Sequence, residues 1–172
     1  MTKGAKAKLA PRAFGSEAFR TYDAILHPEG AYVRVEFPDW TAFEIRVFGK
    51  DRKKVEAATR NALVAWLRDA LKRKSDLRLP MRRHAAPPGQ ELIRIRIPAL
   101  LAIRLAVRYN RWSVSFDTEA FCKRANVPLA QLRKLEDPDG DPRLRTLINV
   151  AIALGMQVTL VPITDGDAER TR

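Results

Sequence analysis

Residues 117–136 read Asp-Thr-Glu-Ala-Phe-Cys-Lys-Arg-Ala-Asn-Val-Pro-Leu-Ala-Gln-Leu-Arg-Lys-Leu-Glu, and this stretch decides the fold prediction for the second half of the chain. Asp117 is a residue type that caps helices, so a helix is predicted over residues 118–125. Asn126 stands where the chain must turn, because asparagine accepts the left-handed backbone conformation more readily than most residues. Val127 would be the buried residue of that turn.

The second helix of this stretch has a polar outer side. It is predicted to run from Pro128 or Leu129 to Glu136, with Leu132 and Leu135 facing inward at helical spacing. The side chains expected to face outward are Gln131, Arg133 and Lys134.

The segments on either side complete the pattern. A well-covered helix is predicted over residues 99–110, and a further helix begins after Pro142 and ends at Gly155. Residues 157–162 are predicted to form a terminal strand. The buried stripe of the helix after Pro142 is expected to consist of Leu144, Leu147, Ile148, Ala151 and Leu154.

Short helices in this order form the arrangement that lays one helix in the major groove of DNA while its neighbours contact phosphates. The sequence therefore predicts double-stranded operator DNA as the partner, recognised by Gln131, Arg133 and Lys134. A small helical bundle without a nucleic-acid role is the alternative. Phosphate contacts are predicted from Lys123, Arg124, Arg111, Arg143 or Arg145.

The first half of the chain has a different periodicity. Short apolar and alternating runs predict strands at residues 22–27, 31–37, 43–48 and 92–97, the first two joined as a hairpin. A helix is predicted from Asp51 towards Lys74. The sequence thus predicts an α+β chain: a small three- to four-stranded antiparallel sheet with one helix, followed by an all-α helix-turn-helix domain.

The domain boundaries are predicted from composition. Residues 1–20 have little apolar periodicity and many basic residues, which indicates a flexible basic arm. An exposed connection is expected at residues 80–90, which hold three prolines and a glycine. The predicted domains are an α/β domain at residues 21–98, a helix-turn-helix domain at residues 99–164 and a disordered tail at residues 165–172.

Composition indicates a globular protein that attracts polyanions. The 172 residues carry a formal net charge of +12, and the excess is spread along the chain. Such a positive field attracts nucleic acid or acidic protein without distinguishing them. There is no run of about 18 apolar residues, no secretory signal, and one cysteine, Cys122, which cannot form an internal disulfide. We therefore expect a cytoplasmic protein without a membrane partner.

The sequence holds few of the groups that a catalytic site requires. His27 and His84 have no second ligand at helical spacing and no phosphate-binding glycine-rich loop occurs, so no enzymatic activity, metal site or cofactor is expected. Acids on or beside the sheet could in principle hold magnesium as in nucleases, which keeps a nuclease as a further hypothesis. These acids are Asp23, Glu36, Asp39 and Glu44.

Residues 117–155 resemble the helix-turn-helix of the Cro and phage-repressor proteins. The family's run of helix cap, small residue, turn and closing Leu-Glu is matched here by Asp117, Cys122, Asn126-Val127 and Leu135-Glu136. Leu129 and Ala130 occupy places that often carry base-reading Gln or Arg in the family. The resemblance implies that these two residues contact DNA, here through the methyl groups of thymine. Pro128 stands where the family usually has a capping hydroxyl.

The first half of the chain resembles the HicB antitoxin family. The matching residues, in order, are Tyr22, Gly30, Tyr32, Phe37-Pro38-Asp39, Gly49, Glu56-Ala57, Asn61-Ala62 and Pro80. Many HicB proteins continue into a repressor-like helix-turn-helix, so the two resemblances together cover residues 22–160.

The combined resemblance implies a type II antitoxin. Its partial ribonuclease-H-like domain would mask a small HicA-like toxin that cleaves mRNA, and its second domain would repress the operon as a homodimer or tetramer. The alternative is a stand-alone DNA-binding protein whose first domain only mediates oligomerisation.

Overall fold

The computed structural model describes residues 16–40, 43–73, 75, 84–114 and 117–158. The expected tail, residues 1–15 of the expected arm and residues 159–162 of the expected terminal strand lie outside these ranges. Within them the chain is α+β, as predicted, with a four-stranded antiparallel sheet and five α-helices. None of these helices is long and apolar enough to cross a lipid bilayer.

The sheet is built from the short apolar and alternating runs of the first half of the chain. Its strands are β1 (Thr21–Glu29), β2 (Tyr32–Glu36), β3 (Glu44–Phe48) and β4 (Glu91–Arg96), in the order β3-β2-β1-β4. Every neighbouring pair is antiparallel, and β1 and β2 form the predicted hairpin, in which Ile25 lies opposite Glu36. Gly30 turns this hairpin with a φ of +62°, a conformation that favours glycine.

One face of the sheet is covered by a long helix. Side chains alternate between the two faces of a strand, which places the apolar residues on the same face. Helix α1 (Arg52–Lys72) packs there, and Asp51 caps it by accepting a hydrogen bond from the Lys54 N–H at 3.0 Å. The buried cluster between them includes Tyr22, Val35, Ile93 and Ile95 of the strands and Val55, Leu63 and Leu67 of α1.

The opposite face of the sheet is lined mainly by charged side chains. Arg34 of β2 donates from Nε to Glu29 Oε1 at 2.6 Å, and its guanidinium lies 3.5 Å from Glu36. His27 of β1 lies 3.1 Å from the same Glu36 carboxylate. Ion pairs near the surface contribute little stability, so these contacts make the face polar but stabilise the sheet only slightly.

Four further helices follow β4 along the chain. They are α2 (Ala99–Val114), α3 (Thr118–Ala125), α4 (Leu129–Glu136) and α5 (Leu144–Ala153). The bounds of α3 and α4 agree with the prediction, whereas α2 continues four residues beyond its predicted end. Leu101 and Leu105 of α2 pack in the sheet cluster, while Val107 packs in a second cluster with α3, α4 and α5. Helix α2 therefore belongs to both cores.

The predicted buried stripe of α5 is wrong at two positions. Leu144 is 65% exposed and Ile148 is 37% exposed. The residues of this segment that are buried are Thr146, Val150, Ala151, Ala153 and Leu154. Helix α5 carries apolar residues on two sides, so helical periodicity alone could not decide which side packs against α3 and α4.

Candidate nucleic-acid interface

Helix α3 begins at a capped end. The Asp117 carboxylate accepts hydrogen bonds from the backbone N–H groups of Glu119 at 2.9 Å and Ala120 at 3.2 Å. These bonds satisfy two of the N–H groups that lack partners in the first turn of a helix. The cap predicted from the sequence is confirmed.

Asn126 turns the chain between α3 and α4 in the predicted conformation. Its φ of 51° and ψ of 48° lie in the left-handed region. Val127 is buried, as predicted, and its N–H donates to the Cys122 carbonyl at 3.1 Å. The turn and a shared core hold α3 and α4 in a fixed relation. That core includes Phe121, Ala125, Leu132, Leu135 and Val150.

The solvent side of α4 carries three of the predicted DNA-contacting residues. Ala130, Arg133 and Lys134 are exposed, and their spacing of three and four residues places them on one side of the helix. Leu132 and Leu135 are buried on the opposite side, as predicted. Two adjacent cations on a short exposed helix suit phosphate oxygens or the acceptor edge of guanine.

Two other predicted DNA-contacting residues lie closer to the core. Leu129 is partly buried and packs against the helical cluster. Gln131 is also partly buried, and its Oε1 is enclosed without a hydrogen-bond partner in the described part of the chain. Successive helical residues rotate by about 100°, which places Gln131 on the flank near Leu135. The prediction that Gln131 faces outward thus holds only in part, because its side chain is partly buried.

Arg111 does not have the exposure that a phosphate contact requires. It is 8% exposed, its Nε donates to Glu136 Oε1 at 2.5 Å, and its Nη2 donates to Glu136 Oε2 at 3.2 Å. This two-point ion pair fixes the geometry of both side chains and joins α2 to the last residue of α4. The burial of Arg111 and its ion pair with Glu136 disagree with the predicted phosphate contact and assign this side chain to positioning α4.

The remaining predicted phosphate contacts surround α4 on the surface. Lys123 and Arg124 of α3 are exposed, as are Arg143 and Arg145 at the start of α5. One nitrogen of Arg124 donates to the Ala153 carbonyl, so this side chain also holds α3 to the end of α5. Lys123, Arg143 and Arg145 therefore fit the predicted role better than Arg124 does.

Charge pairing makes this surface more positive than its composition suggests. Residues 117–158 contain six basic and six acidic residues. Among the acids, Asp117 caps α3, and Glu136 and Asp139 form ion pairs with residues outside this segment. All six basic residues are exposed. Two of the six acids are thus paired with cations from elsewhere in the chain, which leaves a small excess of positive charge on the surface around α4.

No family model and no curated protein matches this chain. The resemblances to the HicB and Cro-like families therefore depend on the individual residues that carry them. The geometry of α3 and α4, with the surface around them, is the structural observation on which a functional proposal can be built.

A buried arginine holds the loop that follows α4. Arg104 of α2 donates from Nε to the Leu135 carbonyl at 3.2 Å, from Nη1 to the Pro138 carbonyl at 2.7 Å, and from Nη2 to the Gly140 carbonyl. Burial lowers the pKa of Arg104, although a guanidinium remains charged at neutral pH. Sequence reasoning missed this residue. Its spacing of three residues from Leu101, on the packed side of α2, was the available signal.

The same loop is tied to the sheet side of the molecule. The Asp139 carboxylate pairs with Lys72 of α1 at 2.5 Å and also with Arg68. Hydrogen bonds from Lys72 and Arg68 lower the pKa of Asp139. Gly140 approaches α4 so closely that a Cβ atom would overlap the Lys134 carbonyl. The loop therefore has little room to move relative to α4.

The acids considered for magnesium do not converge in the described part of the chain, where no group of three potential ligands is found. Asp23 accepts a hydrogen bond from the backbone N–H of His84 at 2.7 Å, and Asp39 lies 3.1 Å from the His84 ring. Glu36 and Glu44 flank Arg34 on the polar face of the sheet. These carboxylates make structural contacts with neighbouring side chains and backbone.

Proposed function

We propose that this protein is a sequence-specific DNA-binding regulator that represses transcription, with α4 as its recognition helix. The observation that carries the proposal is the pairing of α3 and α4 through the left-handed Asn126, with Arg133 and Lys134 exposed on α4. In the major groove, Arg133 would donate to guanine and Ala130 would contact a thymine methyl group. The proposed phosphate contacts are Lys123, Arg124, Arg143 and Arg145.

Rigid support of α4 favours discrimination between base sequences. A side chain distinguishes one base edge from another only if the helix that carries it is held in register with the groove. The bidentate pair between Arg111 and Glu136 holds the C-terminal end of α4, and Arg104 holds the loop beyond it. Both contacts come from α2, so the recognition helix is braced from its inner side.

We further propose that the first part of the chain is a HicB-like, partial ribonuclease-H-like domain that masks a small HicA-like toxin. The proposal is supported by the β1–β3 meander followed by α1, the elements that carry the resemblance. A toxin that cleaves mRNA must itself hold a polyanion and should present cations. Glu36 and Glu44 on the polar face of the sheet could pair with them, and Phe48 beside them is 73% exposed.

The DNA-binding proposal is tested by a salt titration. Fluorescence anisotropy would compare DNA from upstream of the protein's own gene with scrambled DNA of equal length. We expect a preference for the upstream DNA that persists at physiological salt, because base contacts are less salt-dependent than phosphate contacts. Equal affinities that fall together as salt rises would contradict a specific regulator.

A matched pair of variants tests the assignment of α4. Arg133→Ala with Lys134→Ala should weaken binding to the preferred DNA by about 5- to 150-fold per true base contact. Lys53→Ala with Lys54→Ala removes the same charge from the exposed start of α1 and should leave the preference between the two DNAs unchanged. Loss of preference in the second variant, or its retention in the first, would remove α4 from the proposal.

A stand-alone DNA-binding protein is the second candidate. It is favoured by the aromatic pair of Tyr32 and Phe48, whose ring centroids lie 5.3 Å apart at the outer edge of the sheet and which could serve an interface between copies. Calorimetry with the purified product of a small neighbouring reading frame separates the candidates. Binding that suppresses mRNA cleavage supports the antitoxin, and no binding supports the stand-alone regulator.

A further inference from the structure

A cavity of about 930 Å³ lies between helix α2 and helix α4. Its wall is formed by the last residues of α1, the second half of α2, the start of α3, α4 and the loop that follows α4. This volume is in the range of cavities that bind small molecules in proteins. The α4 residues that border the cavity include Glu136, the carboxylate that Arg111 holds, so the cavity adjoins the contact that supports α4.

Two buried guanidinium groups on the cavity wall share one carboxylate. Arg108 and Arg111 are both buried, and Arg111 takes both oxygens of Glu136 in its two-point ion pair. With the residues that the structure describes, the Arg108 guanidinium makes one hydrogen bond, from Nη1 to the Leu71 carbonyl at 3.0 Å. Burial lowers the pKa of Arg108, although a guanidinium remains charged at neutral pH. A buried cation without an anion of its own is costly, so an added anion beside Arg108 would be stabilised.

The other acids on the wall do not compensate the charge of Arg108. Asp139 pairs with two cations of α1, and Asp137 accepts a hydrogen bond from the Asp139 N–H at 3.0 Å. Glu119 of α3 and Arg133 of α4 are both exposed, so solvent screens these two opposite charges. The buried part of the wall therefore keeps one guanidinium in excess over carboxylates.

Apolar surface lies beside this guanidinium. The centroid of the Trp112 ring is 6.0 Å from the guanidinium carbon of Arg108, and this tryptophan is 44% exposed. Leucine side chains of α1 and α4 also border the cavity, namely those of Leu71, Leu129 and Leu132. A cavity with a few convergent polar groups among apolar ones suits a ligand that has one charged end and an apolar body.

We propose that this α2–α4 cavity (Arg108, Arg111, Trp112, Leu129, Leu132 and Glu136) binds a small organic carboxylate with an aromatic or aliphatic body, and that the ligand regulates DNA binding. The carboxylate would accept hydrogen bonds from Arg108, and the apolar body would cover Trp112. The regulatory part rests on the proposed function. A ligand that contacts α2 and α4 together favours the arrangement in which α4 is held against α2, and it should therefore raise the affinity for the preferred DNA.

The ligand site is tested without DNA by titrating the full chain with phenylbutyrate and, separately, with the neutral amide phenylbutyramide, followed by NMR. We expect saturable binding of the acid with a Kd of about 1 mM or tighter, which is ordinary for a ligand of this size. The amide has the same apolar body but no charge for Arg108. It should bind about 10-fold more weakly, because hydrogen bonds to a charged group are the stronger ones.

Two variants locate the site, and circular dichroism checks that each is folded. Arg108→Met should weaken binding of the acid by about 10-fold or more and leave binding of the amide unchanged. Trp112→Ala, at a partly exposed ring, should weaken both compounds by about 5-fold, and it keeps the test decisive if Arg108→Met does not fold. Arg46→Met removes an exposed arginine from β3 and is the matched control, which should bind both compounds as the wild type does.

The regulatory part is tested by fluorescence anisotropy with the upstream DNA, at saturating phenylbutyrate and at an equal concentration of sodium chloride. We expect the acid to lower the Kd for this DNA by about 5-fold or more. An unchanged or raised Kd would overturn the regulatory part.

The ligand site itself would be overturned by a wild type that binds no acid, by equal binding of acid and amide, or by equal losses in Arg108→Met and Arg46→Met. Saturable binding without any preference for upstream DNA would refute the proposed function and leave the ligand site standing. A preference for upstream DNA without binding of the acid would do the reverse.

Discussion

The sheet side and the helical side of this molecule are held together by different kinds of contact. On the sheet side, apolar residues from alternating strand positions pack under α1, and the ion pairs lie on the exposed face. On the helical side, an apolar core is joined by guanidinium groups that are themselves buried, those of Arg104 and Arg111. Apolar burial and the backbone hydrogen bonds of the sheet thus fix the first region, whereas side-chain hydrogen bonds from buried arginines also orient the second.

Helix α2 makes these two regions mechanically dependent. Leu105 is buried in the sheet cluster and Val107, two residues later, is buried in the helical cluster. Arg108 of the same helix donates to the Leu71 carbonyl at the end of α1 at 3.0 Å. Because one helix carries contacts to both cores, we expect them to unfold in one cooperative transition.

The largest predicted effects come from removing a buried leucine on either side. Leu63→Ala in α1 and Leu135→Ala in α4 each empty a fully buried site and should cost about 2–5 kcal/mol, lowering Tm by roughly 4–20 °C. Thermal unfolding would be followed by circular dichroism and by tryptophan fluorescence, to which Trp40 and Trp66 of the sheet core contribute.

Agreement between these two signals is the decisive result. If α2 couples the cores, both transitions shift together in both variants. A Leu135→Ala chain whose fluorescence transition stays at the wild-type temperature, while its helical signal melts earlier, would show two separately folding regions and contradict the coupling.

The next largest effect tests the polar contacts that distinguish the helical side. Arg104→Met keeps the apolar stem but leaves the Leu135 and Pro138 carbonyls without their donor, which should cost about 3 kcal/mol. Urea unfolding measures the change. Lys53→Met removes an exposed cation from α1 and should have almost no effect. Equal changes in the two variants would mean that Arg104 contributes only as a surface charge.

A smaller effect is expected where the loop after α4 meets the helix. Gly140→Ala would force a Cβ atom into the Lys134 carbonyl, and relief of this overlap should cost about 1–3 kcal/mol. Asp141→Ala, at the adjacent exposed position, is the control and should change stability by less than about 0.5 kcal/mol. A wild-type midpoint of unfolding for Gly140→Ala would show that the loop can move away from α4 freely.

Sequence reasoning succeeded where the local chain determines structure. The caps at Asp51 and Asp117 and the left-handed turn at Asn126 each depend on the chemistry of one residue and its near neighbours. The four strands were predictable because three of them alternate with a period of two, which specifies both a strand and its buried side, and the first is a short apolar, β-favouring run. Most of the sheet side belongs to this category.

The predictions that were wrong concern which side chains are buried, and this depends on tertiary packing. Helix α5 has two apolar sides, and the contact with α3 and α4 selects the one that contains Val150, leaving Leu144 outside. Arginine is usually exposed at the surface, so the burial of Arg104 and Arg111 was not expected from residue type. Arg111 is buried because it binds Glu136 at the end of α4, and Arg104 because it donates to carbonyls of the loop that follows. The partners of these two arginines lie far from them along the chain, so no local sequence pattern predicts the contacts.

The smallest predicted effect compares two exposed ion pairs, one on each side of the molecule. Hydrogen bonds from Lys72 and Arg68 lower the pKa of Asp139, and a hydrogen bond from Arg34 lowers the pKa of Glu29. A carboxyl whose pKa is lowered by folding stabilises the folded state above its unfolded pKa, and this contribution disappears as pH falls through the folded value. Both pairs should therefore weaken in acid.

Asp139→Asn and Glu29→Gln should each lower stability slightly at neutral pH, and the difference from wild type should vanish as the medium becomes acidic. The positions of the two ion pairs give a second measurement that distinguishes the two variants. Glu29 and Arg34 lie in one hairpin, whereas Asp139 joins the loop beyond α4 to α1, so amide exchange in residues 137–140 should accelerate in Asp139→Asn alone. No acceleration there in Asp139→Asn would mean that Arg104 suffices to hold the loop and that the link to α1 adds nothing to it. Equal acceleration in Glu29→Gln would mean that the effect is a general loss of stability and does not come from the link between the loop and α1.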